Sequence, residues 1–477
     1  MAPRPRPFPE PRPLPEPRSS ADGGSGGRAA PSPSPSYDRR RAWLVTALIV
    51  AFMVVNFADK SALGLAAVPV MADLHISNST YGLVSSSFSL LFSLSGLVVG
   101  FFSSRLSSRL LLFVMGLLWA VAQLPVVVVA TVPTLVAGRL LLGAAEGPAA
   151  SMSMHALYKW FPPERRGLPS ALQIGGAALG TLVAAPVVTW LISAFGWRSA
   201  FAALGVAGAV WSLLWWKGGH DGPYDDAGRP PHGPAAPQAS DRLPYRKLLL
   251  SGTVLGSISS AFGASWALSL SQAWLAPYLR TQLGMSAGTA ATTISAVSAF
   301  SLVLLLTVSL FVDRLKSRGM SRRWACGGLQ GAVVCVAAVA MAGFPLTHAP
   351  GPRVLLIAVA FAVASVAVPL HYMTTAEAVP ASQRGAVFGI VAATGTLPGL
   401  VVPAVTGHLI DAGPTQQEGY RTAFLLAAGV MFVAGAVAIA AIRPEHDARR
   451  LGLATGRRPG CSPTSPKCPE PGGTCCG

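Results

Sequence analysis

Charge is scarce in this sequence. Only 12% of its 477 residues are Asp, Glu, Lys or Arg, about half the share of an ordinary soluble chain. No Walker-type Gly-x-x-x-x-Gly-Lys stretch is present, so ATP-driven pumping has no support. No Ser/His/Asp or metal-ligand set stands at usable spacing, so neither enzymatic chemistry nor a cofactor is expected. The six cysteines make no framework. Cys326 and Cys335 lie in one apolar stretch and read as small buried thiols. Cys461, Cys468, Cys475 and Cys476 lie in a Pro/Gly-rich tail without histidine, where zinc or lipidation is open but weakly signalled. Residues 1–41 are Pro, Arg, Ser and Gly with no apolar core. They read as a disordered tail rather than a cleavable leader.

Apolar residues dominate instead, at 52%, with mean hydropathy +0.51. The run Leu110 to Ala130 contains no ionisable residue, and ~20 such residues at ~1.5 Å each cross the ~30 Å hydrocarbon layer. Comparable runs predict membrane spans near 42–70, 80–103, 109–130, 133–158, 167–194, 199–216, 247–279, 287–311, 324–344, 353–375, 384–411 and 420–442. The expected fold is an all-α membrane protein of twelve transmembrane helices in two parallel six-helix repeats. The expected layout is a disordered tail (1–41), a first bundle (42–216), a central loop (217–246), a second bundle (247–442) and a disordered tail (443–477).

The net charge of +17 does not indicate nucleic acid, because of where the cations fall. Of 36 Lys and Arg residues, only Arg198, Arg280, Arg353 and Arg421 lie on one side of the predicted spans, and Lys60 and Arg139 fall within spans. The rest lie on the other side, in the tails and alternate loops. That asymmetry predicts a multi-pass protein of the cell membrane with both termini cytoplasmic.

The two halves repeat each other. Gly180-Thr181-Leu182 answers Gly395-Thr396-Leu397, Pro186 answers Pro403, and Leu191-Ile192 answers Leu409-Ile410. Trp197-Arg198-Ser199-Ala200-Phe201 answers Tyr420-Arg421-Thr422-Ala423-Phe424. Ser104 to Arg109 answers Asp313 to Arg318. Parallel six-span repeats are how one class of secondary transporters is built, with bundles that rock about a central site. Gly96 and Gly100, Gly143 and Gly147, Gly176 and Gly180, and Gly395 and Gly399 supply close helix contacts, a feature shared with ordinary membrane packing.

An ionised side chain inside a span costs roughly 2.5–3.5 kcal/mol on insertion scales, so it marks a pathway or a partner. Asp59 lies roughly 27 Å along its helix from Arg41, and Arg139 and Glu146 lie roughly 9 and 20 Å from Pro133, at ~1.5 Å per residue. Asp59 and Arg139 thus fall at similar depth and could pair. Two simpler readings stay open: the first span could end at Ala58, and Arg139 could snorkel to the interface. Asp59 and Glu146 are the candidate proton-coupling carboxylates. Lys60 and Arg139 are the candidate cations for an anionic substrate. Asn56, Gln173, Gln272, Tyr278, His371 and Tyr372 are candidate cavity residues, although each could equally bridge helices. His371 could also relay protons.

These motifs together resemble the major facilitator superfamily, and within it the anion:cation symporter family, over about residues 42–442. The cues are Asn56-Phe57-Ala58-Asp59-Lys60, Gly138-Arg139 through Glu146, Trp160-Phe161-Pro162 with Glu164-Arg165-Arg166-Gly167, and Gly196-Trp197-Arg198. The resemblance implies proton-coupled symport of a small organic anion by a functional monomer, with Asp59 and Glu146 coupling protons and Lys60 holding a carboxylate. It also implies a cytoplasmic gate of Arg105, Arg109, Asp313, Arg314 and Arg318. The chain departs from the family where Lys60 replaces an arginine, where Phe92 replaces a tyrosine, and where Ser104 replaces the gate aspartate of the first half. Two other functions compete: proton-antiport export of a drug-like or biosynthetic molecule, against which the fifth span lacks a Gly-Pro motif, and a non-transporting membrane sensor.

Overall fold

The computed structural model describes residues 38–102, 107–162, 165–224, 243–318, 320–321, 323–380 and 383–451. Among these residues every regular element is helical. Ten helical stretches are long and apolar enough to cross a bilayer. The other two expected spans correspond to a 25-residue helix, Asn78–Phe102, and to a broken helix, Val132–Glu146 followed by Ala149–Tyr158.

We number the membrane helices in chain order. The first half comprises α1 (Arg39–Leu74), α2 (Asn78–Phe102), α3 (Ser108–Val128), α4 (Val132–Glu146 and Ala149–Tyr158), α5 (Gly167–Phe195) and α6 (Trp197–Gly218). The second comprises α7 (Gly252–Thr281), α8 (Ala287–Ser317), α9 (Leu329–Leu346), α10 (Pro350–Ala378), α11 (Arg384–Gly395 and Pro398–Ala412) and α12 (Gln416–Ala441). The face of the bundle where α1 begins and α12 ends is called the near face, and the opposite one the far face.

Local chemistry sets the ends. Asp38 caps α1 by accepting from the Arg40 and Arg41 amides at 3.0 and 3.2 Å. Three residues of the expected N-terminal tail therefore belong to α1. His75 closes α1 in the left-handed region at φ 51°, a conformation that non-glycine residues adopt only where a cap or turn demands it. The expected C-terminal tail also contributes structure. Pro444–Arg450 is a short helix, and Asp447 on it accepts from the Thr253 amide (2.7 Å) and hydroxyl (2.6 Å) at the start of α7. An acidic side chain there satisfies amides that the first turn of a helix leaves unpaired.

Each half has its own aromatic core. Phe52 stacks on Trp119 (4.4 Å) and packs on Trp211 (4.6 Å) in the first. Tyr278, Phe344, Tyr420 and Phe424 interlock in the second. The halves meet toward the far face. Tyr81 on α2 donates to the Ala273 carbonyl of α7 at 3.1 Å, and Ser295 on α8 donates to the Leu182 carbonyl of α5 at 2.9 Å. Gly82 packs on the Pro403 backbone and Gly407 on the Asn78 backbone, so α2 and α11 touch main chain to main chain. Only glycine permits that approach, since a Cβ at either position would overlap a carbonyl oxygen.

Candidate functional site

Three helix irregularities surround the middle of the molecule. The α4 helix breaks at Gly147-Pro148, directly after Glu146, because proline lacks an amide to continue the ladder. The α11 helix breaks at Thr396-Leu397 ahead of Pro398. The α7 helix widens to a π turn at Ser271–Leu275, a feature frequent at functional sites. Gly64 of α1 sits directly against the Gln272 carbonyl of that turn.

A cavity lies between these elements. Its walls are Lys60, Leu63 and Gly64 of α1, Ser85, Phe88 and Ser89 of α2, and Arg139 of α4. The second half adds Ser269, Gln272 and Ala273 of α7, with Gly399 and Pro403 of α11. Both halves therefore contribute. The charges do not divide equally: both cations come from the first half, and the second offers hydroxyl and amide groups. The cavity volume is about 30 Å³, room for about two ordered waters at the ~10–15 Å³ that each requires. In this conformation the site is too tight for an organic solute.

Four ionisable groups stand at membrane depth. Glu146 is 1% exposed and Asp59 2% exposed. The Lys60 ammonium lies 3.6 Å from the Glu146 carboxylate and donates to the Asn56 side-chain oxygen at 3.0 Å. It also sits over the rings of Phe57 (4.5 Å) and Phe92 (4.9 Å). Phe92 thus contributes a π face to the cation. Arg139 lies over Phe88 at 4.7 Å, on the wall of the cavity rather than at the membrane interface.

The expected pairing of Asp59 with Arg139 differs in detail. Asp59 accepts instead from the Gln123 side-chain amide of α3 at 2.6 Å. The sequence did carry a signal for Gln123: it is the one side-chain amide in the otherwise apolar run Leu110 to Ala130. Ser85, Phe88, Ser89, Ser269, Gly399 and Pro403 were also not anticipated as site residues, because small and apolar residues abound in every span.

Of the other expected cavity residues, Gln272 lines the cavity, and Asn56 is off its wall but holds the Lys60 ammonium. Gln173 is not at the site: it donates to Ser153 (2.9 Å) and to the Ala150 carbonyl (3.3 Å), bridging α5 to α4. Tyr278 belongs to the far-face aromatic cluster and lines a separate depression with Arg353 and Arg421. His371 and Tyr372 pack on each other at 4.1 Å, and Tyr372 on Phe388 at 5.4 Å, outside the cavity wall.

The expected gate residues are described only in part. Arg105 lies outside the described residues. Asp313 lies in α8, with only its backbone described. Arg314 and Arg318 are exposed. Arg109 donates to the Trp216 carbonyl at 2.6 Å and covers the Trp216 ring at 5.0 Å, both within the first half.

Two six-helix bundles around a shared polar cavity, with buried charges beside it, define a multi-pass membrane transporter. The chain belongs to the Major Facilitator Superfamily, whose family model matches residues 48–369. It is 26% identical to the hexuronate transporter of Bacillus subtilis over 402 residues, covering 82% of this chain and 92% of the relative. It is 25% identical to the D-galactonate transporter of Escherichia coli over 435 residues, covering 87% and 97%. A probable sulfoacetate transporter of Cupriavidus necator is 24% identical, covering 84% and 94%. Among solved structures, a bacterial homologue of the human lysosomal transporter Spinster in an inward-facing, unoccupied conformation superimposes with a TM-score of 0.71 at 16% identity. It covers 86% of this chain and 99% of that one. A D-xylose-proton symporter superimposes with a TM-score of 0.63 at 17% identity, covering 83% and 98%.

Proposed function

We propose that this protein is a secondary transporter that carries a small hydroxylated organic anion together with protons by alternating access. The observation that carries this reading is the asymmetric cavity. Lys60 and Arg139 present positive charge from one half, and Ser269 and Gln272 present neutral hydrogen-bonding groups from the other. A solute with a carboxylate at one end and hydroxyls along its body matches that division. Relatives named as transporters of hexuronate and D-galactonate, both hydroxylated carboxylates, and a probable sulfoacetate transporter support that match.

Charge balance supplies the coupling. The site holds two carboxylates, Asp59 and Glu146, and two cations, Lys60 and Arg139. With all four ionised the site is neutral, and an anion entering it would leave an uncompensated buried charge, which is costly. Protonating one carboxylate frees one cation for the substrate. Proton and anion therefore favour each other's binding, as linkage requires. Glu146 takes that role in this reading, supported by Lys60, which lies 3.6 Å from it and also lines the cavity. Lys60 holds a carboxylate as a point charge, without the paired fork of an arginine.

In this reading the near face is cytoplasmic, both termini face the cytoplasm, and a single chain performs the cycle in the cell membrane. Uptake of labelled galactonate and glucuronate into proteoliposomes under an inward proton gradient tests it. Wild type accumulates at least one of the acids. Glu146→Gln loses gradient-driven accumulation by about a hundredfold while retaining exchange of pre-loaded acid. Accumulation by Glu146→Gln equal to wild type would overturn the coupling assignment, and accumulation only under an outward gradient would favour export.

A further inference from the structure

The geometry points to Asp411 as the latch that holds the far face of the carrier closed. It sits at the end of α11, in the second half, and its carboxylate reaches the start of α2 in the first. One oxygen accepts from the Asn78 side-chain amide at 2.8 Å. The other accepts from the Ser79 backbone amide at 2.7 Å and from the Ser79 hydroxyl at 2.6 Å.

Helix chemistry explains why the contact is specific. The first amides of a helix have no partner within it. Ser77 is the cap of α2: its carbonyl receives the Tyr81 amide at 3.0 Å and its hydroxyl receives the Thr80 amide at 3.2 Å. The Ser79 amide is among those left over, and a residue 332 positions away in the chain satisfies it. The first turn of α2 is thus capped partly from within and partly from the opposite half. The negative charge also faces the positive end of the α2 dipole.

The surroundings make this contact a closing device rather than a chance surface pair. Gly407, one turn before Asp411, lies against the Asn78 backbone, and Gly82, one turn after Asn78, lies against that of Pro403. Tyr81, between them, bonds to the Leu63 and Ala273 carbonyls at 3.3 and 3.1 Å. The two helices can separate only if all three Asp411 hydrogen bonds break together. The latch and the backbone contact therefore favour the same state, far face closed.

This inference rests on the alternating-access reading above, and its test separates the two. Spin labels at Ala72→Cys and Gly288→Cys, exposed positions at the far-face ends of α1 and α8, report the far-face distance in a background with the six native cysteines replaced by serine. Wild type shows a dominant short and a minor long distance. Asp411→Ala shifts the ratio toward the long distance by roughly tenfold or more, the scale of a lost charge-assisted hydrogen bond. Asp411→Asn, which keeps an acceptor oxygen, shifts it less. Asn78→Asp, which sets a second carboxylate opposite the first, opens the far face even if Asp411→Ala folds poorly. Two populations whose ratio neither Asp411→Ala nor Asn78→Asp alters would overturn the latch and leave alternating access standing. A single distance in every variant, with and without substrate, would overturn both.

Discussion

Asp59 shows how a single hydrogen bond decides what a buried charge can do. Its carboxylate is sealed between helices and accepts from Gln123, so the anion has a donor that requires no charge of its own. Leaving a buried carboxylate without that donor costs about 1–3 kcal/mol. Gln123→Leu is therefore expected to lower gradient-driven uptake roughly tenfold or more. Gln173→Leu, which removes an equally buried amide that only bridges α4 and α5, is expected to lower the melting temperature and leave uptake per folded protein near wild type. Equal losses of uptake in both variants would assign Gln123 a purely structural part. At this scale the sequence revealed which residues are charged at membrane depth, because an ion in an apolar run is conspicuous. It did not reveal their partners. Depth along a helix placed Asp59 level with Arg139, but depth carries no information on which face of α1 meets α3. Nor does depth give the faces of Tyr278, His371 and Tyr372, which pack on aromatic neighbours in this structure.

Among the helices, the informative departures are where regularity fails. The π turn of α7 widens the helix beside Gly64, so α1 rests its backbone against the Gln272 carbonyl. A methyl group on Gly64 would overlap that oxygen, and a main-chain atom cannot swing aside. Gly64→Ala is expected to push α1 from α7, prevent full closure of the far face and abolish uptake, while each half keeps its own core. Gly175→Ala, with open space around the added methyl, is expected to be neutral and to serve as the control. Normal uptake by Gly64→Ala in proteoliposomes would refute the close-contact argument. The spans themselves were legible, since runs of apolar residues report bilayer crossing directly. The breaks in α4 and α11 were not, although Gly147-Pro148 and Pro398 stood in view, because helices in membranes often carry proline without breaking. The helix Pro444–Arg450 was hidden for a different reason. Its sequence is polar, and its order comes from Asp447 docking on α7.

Considered whole, the molecule joins two six-helix bundles through a surface that the proposed alternating access requires to come apart. Each bundle keeps its own aromatic core. Between them lie main-chain contacts, hydrogen bonds, the Tyr81 ring packed on Trp274 at 5.1 Å and the cavity of about 30 Å³. A space of that size does not hold a sugar acid, so the proposed transport requires the bundles to tilt relative to each other. Covalent staples separate motion between the halves from motion within one. A Cβ built at Gly399 of α11 lies 3.2 Å from the Ser89 Cβ of α2, across the halves, and one at Gly256 of α7 lies 3.4 Å from the Ala441 Cβ of α12, within the second half. Both separations are close to what a disulfide spans after slight adjustment. With native cysteines replaced by serine, oxidising the Ser89→Cys/Gly399→Cys pair is expected to stop uptake and reducing it to restore uptake. Oxidising Gly256→Cys/Ala441→Cys is expected to leave uptake within about twofold of its reduced form, because that staple ties together parts that move as one. Uptake that survives a completed staple between Ser89→Cys and Gly399→Cys would mean that the solute passes without the halves separating there, and the rocking mechanism would fall with it.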